Sequence, residues 1–436
     1  MAKFKRLNVF FAVTTGVLIQ FCSLFAQSQV VPCQLSNPDQ DTLRLFPERT
    51  NYRTEFMRTD EVERSRNLQP KSLYLDLENR LGDSWDPIWE TEDIPYVFYE
   101  ILKGPERIGW VFGANQGWPG ADNAQLMLGF DLDERIREFY YQKLPSLENL
   151  RFQSKQFYSQ FIGISLENFY VHERLISLNI KSPDLQGLDM IQRIQDPSQD
   201  EHEGFFKTLR GLKKILIYLD DFKFHNKIKK SEVFYDVDYI VNNRKNIPFL
   251  DQDQILKAFP DASRFVVDLV AVRKNKVLLE ERLEGPFGDQ EVYPVYTVYK
   301  DVVYAEPFVR GSLLGYVVPF RLGAFTGSVS VGAQEKDKGK ILSLNVNHNE
   351  FPQLKGLSLV HYYIKDFLKK TNITDEKLDK IAPLVNLQVE GQDRSAEIQS
   401  LAKKALILVD ENYFHNYFKK DDIMKKIEEF VKKEHS

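Results

Sequence analysis

The residues able to do chemistry are scattered along this chain. Its seven histidines are dispersed, with no His-Glu-x-x-His and no Cys-His cluster, so a zinc or iron centre lacks ligands at usable spacing. No Walker loop occurs, and no Gly-x-Gly-x-x-Gly follows a strand pattern. No Gly-x-Ser-x-Gly elbow presents a serine as a nucleophile. The acidic pair Asp131 and Asp133 falls in a charged turn, where solvation explains it more simply than acid–base work. What remains suits holding a ligand better than transforming one. Trp85, Trp89, Trp110 and Trp118 offer faces for a flat π system, and Gly117, Pro119 and Gly120 can shape a loop around it. The same residues also serve as core anchors and turn punctuation with no ligand at all. An enzyme with its own acid–base machinery is disfavoured.

Those residues need a frame, and the pattern supplies one twice. Residues 314–354 read as a β-rich run with Gly315, a loop with Gly323 and Gly327, and an alternating strand through Val329 and Val331. A Lys-Asp-Lys-Gly turn and a strand over 341–346 follow. Residues 108–147 run in the same order: IGWVF, a Gly-Trp-Pro-Gly loop, LMLGF, an acidic DLDER turn, and Pro145-x-Leu147 matching Pro352-x-Leu354. Short helices over 75–86 and 253–264, ending at Gly82 and at Pro260, are paired as the openings of the two copies. Phe152, Gln156, Phe157, Gln160 and Phe161, at helical spacing, are answered by Val360, Ile364, Phe367 and Leu368. The clearest echo comes last: LKKILIYLDD and AKKALILVDE place Lys213 and Lys403 190 residues apart, each on an amphipathic helix.

The expected fold class is therefore α+β, with two repeated domains, each an antiparallel sheet with packed helices. With 436 residues and 43% hydrophobic content the chain can bury a large core, and a net charge of -5 without a basic face argues against nucleic acid. Residues 1–26 pair Lys3, Lys5 and Arg6 with an apolar run ending at small residues, the pattern of a secretory signal; an uncleaved anchor helix is the rival. Cleavage there leaves Cys33 alone, so no internal disulfide forms, and no further run is long enough to span a membrane. The expected organisation continues with an irregular segment over 27–71, rich in proline and charge. Domain one spans 72–221, a connector with one candidate strand (232–241) spans 222–249, domain two spans 250–415, and an amphipathic helix covers 416–436.

The order of elements resembles the FMN-binding domain of the extracytoplasmic subunits of sodium-pumping NADH:quinone oxidoreductase and of the membrane regulator of nitrous-oxide respiration. The matching motifs are Phe259-Pro260, Leu314-Gly315-Tyr316-Val317 and His348-Asn349-Glu350-Phe351-Pro352-Gln353-Leu354 in the second copy. The first copy supplies Ile108-Gly109-Trp110-Val111, Gly129-Phe130-Asp131 and Gln160-Phe161-Ile162-Gly163. The resemblance covers about residues 72–221 and 250–415. It implies an exported protein, periplasmic or associated with the outer envelope. That protein would hold FMN without a covalent bond, or hold none, beside a membrane electron-transfer or envelope partner.

In that family a threonine of Ser-Gly-Ala-Thr carries the flavin through a phosphoester. Here the matching run is Arg394-Ser395-Ala396-Glu397, with Ser400 beyond it, and the constant offset places Lys207, followed by Thr208, in the first copy. Neither a carboxylate nor an amine makes that linkage, and Glu397 sets a negative charge where a phosphate would lie. The resemblance thus implies cofactor-binding candidates Gly117, Trp118, Gly120, Lys207 and Thr208 in one copy. In the other they are Gly323, Gly327, Ser395, Glu397 and Ser400. Covalent attachment is not expected. The alternative is a flavin-free structural or protein-binding module on the same fold.

Overall fold

The computed structural model describes residues 35–84, 96–118, 122–145, 147–180, 185, 187–198, 202–305, 308–347, 349–371 and 387–434. The signal-like segment, Trp85, Trp89, Pro119, Gly120 and His348 lie outside the described residues. The protein is α+β, built on antiparallel sheets of five and six strands with helices packed against them.

The first sheet begins earlier than expected. Asn37 caps α1 (Pro38–Leu45) by accepting the Gln40 N–H, and Pro38 occupies the first turn, where its missing N–H costs nothing. After Pro47 the chain forms β1 (Asn51–Met57), then α2 (Thr59–Ser65). Residues 38–65 are thus ordered structure and not an irregular segment: their prolines sit at element boundaries. α3 (Ser72–Leu81) stops at Gly82, whose φ of 91° is the left-handed cap expected there. The strands β2 (Tyr96–Lys103), β3 (Glu106–Trp118), β4 (Asp122–Phe130) and β5 (Ile136–Lys143) complete the sheet, in the order β1-β2-β3-β4-β5. A 3-10 turn (Leu147–Gln153), α4 (Lys155–Ser159) and α5 (Leu166–Ser177) lead to α6 (His202–Phe224), which lies across β3.

The stretch read as a connector with a strand is α7 (Lys230–Asn243). Its β-branched residues misled the pattern: Val233, Val237 and Ile240 recur at three- and four-residue spacing and are buried on one helical face.

The second half runs α8 (Gln252–Ala258), β6 (Arg264–Ala271), α9 (Lys276–Leu283), β7 (Val292–Ala305), β8 (Phe308–Leu322), β9 (Phe325–Gly332), β10 (Ile341–Val346) and β11 (Asn349–Glu350). It continues with α10 (Leu359–Thr371), the two-residue strands β12 (Gln388–Val389) and β13 (Gln392–Asp393), α11 (Ser395–Tyr413) and α12 (Lys420–Glu434). Its main sheet is ordered β11-β10-β9-β8-β7-β6.

Detailed contacts recur between the halves, in a register partly different from the one expected. Phe46, ending α1, packs its ring where Gly109 has no side chain; Phe259, ending α8, does the same at Gly315. The counterpart of Phe259-Pro260 is therefore Phe46-Pro47 and not Leu81-Gly82. Arg80 donates to the Tyr170 hydroxyl (3.1 Å) and pairs with Asp220, while Arg282 donates to the Tyr363 hydroxyl (3.4 Å) and to Asp410 (2.5 Å). α10 thus answers α5, and not the Phe152–Phe161 stretch with which the sequence pattern paired it.

The two sheets do not stand apart. One face of the second sheet is covered by its own α11; the other meets α4, α5 and α7 of the first half. The larger core accordingly joins Phe161, Phe169 and Val237 to Val266, Val298 and Val317.

Candidate functional site

Several of the described candidates implied by the resemblance, Gly117, Thr208, Gly327, Ser395 and Glu397, are engaged within the chain. Gly117 and Trp118 are not in a loop: they end β3, paired with Asn123 and Asp122 of β4. Beside them α6 lies close, with Gly211 against the side chain of Gln116 and Arg210 Nη1 donating to Gln116 Oε1 at 2.9 Å. Thr208 is fully buried; its hydroxyl donates to the Gly204 carbonyl (2.8 Å) and accepts from the Tyr141 hydroxyl (2.6 Å). Lys207, half-buried, precedes it on α6. In the second half, Gly323 makes the tight β8–β9 turn at φ 60°, and Gly327 is a paired residue of β9 opposite Phe320 and Val346. The Ser395 hydroxyl donates to Asp393 (2.5 Å) and accepts the Leu387 N–H (2.7 Å). Glu397 is exposed and paired with Arg394 at 3.0 Å, and Ser400 is exposed one turn along α11. The structure sets α6, which carries Lys207 and Thr208, against β3, which ends in Gly117 and Trp118, and Ser395 and Glu397 share the start of α11.

The lysine pairs 190 residues apart have structural duties. Lys213 binds Glu173 and the Leu81 carbonyl; Lys403 binds Asp366 (2.6 Å) and the Leu283 carbonyl (3.1 Å). Each ties the end of one helix to the long helix beneath it.

A polar site that no local motif announces lies between the halves. Arg135, just before β5, forms a bidentate pair with Asp268 of β6, both bonds 2.9 Å. Thr297 (2.7 Å) and Tyr413 (3.1 Å) also donate to Asp268 Oδ2, so this buried carboxylate is well satisfied. On one side of the pair is a cavity of about 270 Å³ lined by Glu134, Glu167, Lys227, Lys229, Asp236 and Asn412 among others. A second cavity of about 270 Å³ on the other side is lined by Asp131, Arg137, Tyr299, Arg310 and Tyr316 among others.

The carboxyls around the pair are poorly hydrated. Burial pushes Glu167 up to about 7, with the nearby Asp268 adding to it, and its Oε1 accepts the Leu269 N–H at 3.2 Å. Burial likewise raises Asp131 to about 6, helped by Asp133. Glu134, only 2% exposed and at φ 63°, is pushed up to about 8 by burial; Asp220 reinforces this and Lys227 opposes it. Lys227 Nζ stands 3.0 Å from Glu134 Oε1 without hydrogen-bond alignment.

Such an arrangement can hold a compact polar molecule and exchange protons with it near neutrality. Two hydroxyls on its wall are already engaged as donors, Ser165 to Asn168 Oδ1 (3.2 Å) and Tyr413 to Asp268 Oδ2 (3.1 Å). Among the described residues no group of three or more His, Cys, Asp or Glu side chains could hold a metal ion. Sequence reasoning passed over Arg135, Glu134, Glu167 and Asp268; the only local trace was the acidic turn at 131–135, and Arg135 reaches its partner across 133 residues. Comparisons with family models, with curated proteins and with solved structures return no match for this chain.

Proposed function

We propose that the chain is an exported, flavin-free binding protein built from two diverged FMN-binding-like halves, with its ligand site in the charged cavity between them. The observation that supports this is where the polar groups stand. The hydroxyls of Thr208 and Ser395, nearest the family's acceptor position, are engaged in two intrachain bonds each. The carboxyl of Glu167 faces a cavity instead. A compact ligand that both donates and accepts hydrogen bonds, such as an amide or amino-acid compound, matches a wall where the raised carboxyls of Glu134 and Glu167 stand with Lys227 and Lys229. No helix of the described residues is long and apolar enough to cross a membrane, so contact with an envelope protein would be made from a face of this fold.

The test has two arms on protein purified from its native host. A visible spectrum and intact mass should show neither flavin absorption nor an FMN increment, and bound flavin in either form would overturn the flavin-free reading. Thermal-shift screening against amino acids, amides and polyamines should find a stabilising ligand whose effect is lost in Glu167→Gln. An unchanged shift in that variant would place the ligand elsewhere. The competing reading, non-covalent FMN, draws on the closeness of Gly117 and Trp118 to α6.

A further inference from the structure

A third cavity, of about 190 Å³, lies between the halves at a different edge and does not depend on the function proposed above. Its wall combines Ile162, Ile164, Met190 and Ile194 from the first half with Ile255 and Phe265 from the second. The first five are each at most 7% exposed, so the floor is fixed core and not loose surface.

The polar groups at its rim are nearly all accounted for. Gln160 accepts the Gln195 N–H (2.7 Å) and donates to the Gln195 carbonyl (3.3 Å). Arg264 is held by Asp301 at 2.7 Å. Arg193 is the exception. It is exposed, stacks its guanidinium 4.8 Å from the Phe265 ring centre, and has no carboxylate at ion-pair distance among the described residues. The two acids nearest in sequence are both engaged: Asp196 by the Ser198 N–H (2.8 Å) and by His202 (2.6 Å), and Asp189 by His172 and the Gln192 N–H, each at 2.9 Å. An apolar recess with one uncommitted guanidinium at its mouth is chemically asymmetric. A cation is repelled at the rim, and a wholly polar anion gains nothing from the isoleucine floor.

We propose that this recess binds a monoanionic amphiphile, a short- to medium-chain fatty carboxylate, with its head on Arg193 and its chain among the isoleucines. A carboxylate matches the two parallel N–H groups of a guanidinium, and the existing stack on Phe265 holds that fork in place. The volume is below the usual range for drug-sized ligands, which sets the scale at a single short chain.

Calorimetric titration of the full chain with butyrate, hexanoate and octanoate, all below micelle formation, tests this. Affinity should rise roughly fourfold per methylene until the recess is full, the factor that about 0.8 kcal/mol per buried CH₂ implies. Arg193→Gln, a surface change, should weaken octanoate at least tenfold while leaving octan-1-ol unaffected. Octylammonium should bind more weakly than octanoate. Equal binding of butyrate and octanoate, equal binding of the two octyl ions, or an unchanged octanoate affinity in Arg193→Gln would each overturn the proposal.

Discussion

At the scale of single residues, the protein's centre of gravity is the Arg135–Asp268 pair, which is buried and spans both halves. Removing Arg135 leaves the Asp268 charge without its counter-ion, held only by the Thr297 and Tyr413 hydroxyls, so Arg135→Met should lose about 3 kcal/mol of stability. Arg135→Met combined with Asp268→Leu should recover most of that, and urea melts in which the double variant is as weak as the single one would refute this account. Glu134 makes a second, pH-dependent prediction. Its folded form keeps a proton up to about pH 8, whereas an unfolded glutamate releases it near the ordinary 4.5. Between those values the folded state binds more protons, so this term stabilises fully below about pH 4.5 and is lost as pH rises through about 8. Glu134→Gln, which imitates the protonated acid, should match the parent near pH 5 and exceed it near pH 9. Parallel pH profiles for the two proteins would count against it. Beyond the acidic turn at 131–135, none of these groups was legible in the sequence, because burial and a partner far along the chain give Arg135 and Glu134 their character.

Elements were more legible, with instructive slips. The long helices and most strands follow from apolar spacing, and at or after the two matched Pro-x-Leu sites the structure adds 3-10 turns at Leu147–Gln153 and Pro352–Leu354. The opening of the first half was missed because its proline count suggested irregular chain. LRLFPER against LKAFPDA was the available signal. A second overlooked signal is Phe-His-Asn followed by Lys-Lys, at 224–230 and again at 414–420. In both, His and Asn adopt left-handed backbone (φ 57° and 57°; 53° and 56°), letting Asn226 and Asn416 donate back to the Asp220 and Asp410 carbonyls at 3.0 and 2.9 Å. The Phe–Gly contacts yield a matched prediction. An alanine Cβ at Gly109 or Gly315 would collide with the Phe130 or Val331 carbonyl as well as with the phenylalanine ring. Gly109→Ala and Gly315→Ala should each destabilise by about 1–3 kcal/mol or more, and trimming Phe46 or Phe259 to alanine should not rescue them, since the carbonyl remains. Full rescue in denaturant melts would show that the ring alone sets the requirement.

At the scale of the whole molecule, the halves share a core, so they should unfold together. The tryptophans allow a direct check: all four, Trp85, Trp89, Trp110 and Trp118, belong to the first half. Their fluorescence and the far-ultraviolet dichroism of the entire chain should report one coincident transition in urea, and two separated midpoints would mean independent domains. The docking that joins the halves is also one-sided. Helix α7 meets the second sheet through Tyr235 and Tyr239, which bond Glu291 and the Asp289 carbonyl at 3.1 and 3.3 Å, and through Asp236 on Arg273. At the same 190-residue offset, α12 carries Lys425, Glu429 and Lys426 in those three places, while Ile427 still matches the buried Val237. A head-to-tail contact of this kind has no inherent end, and a further unit could stack on α12 were its surface like that of α7. On the proposed duplication, Lys425→Tyr, Lys426→Asp and Glu429→Tyr together should give α12 the docking residues of α7 and make the chain self-associate with concentration in sedimentation velocity. A variant that keeps the parent's size would refute the idea that these charges act as a terminal cap.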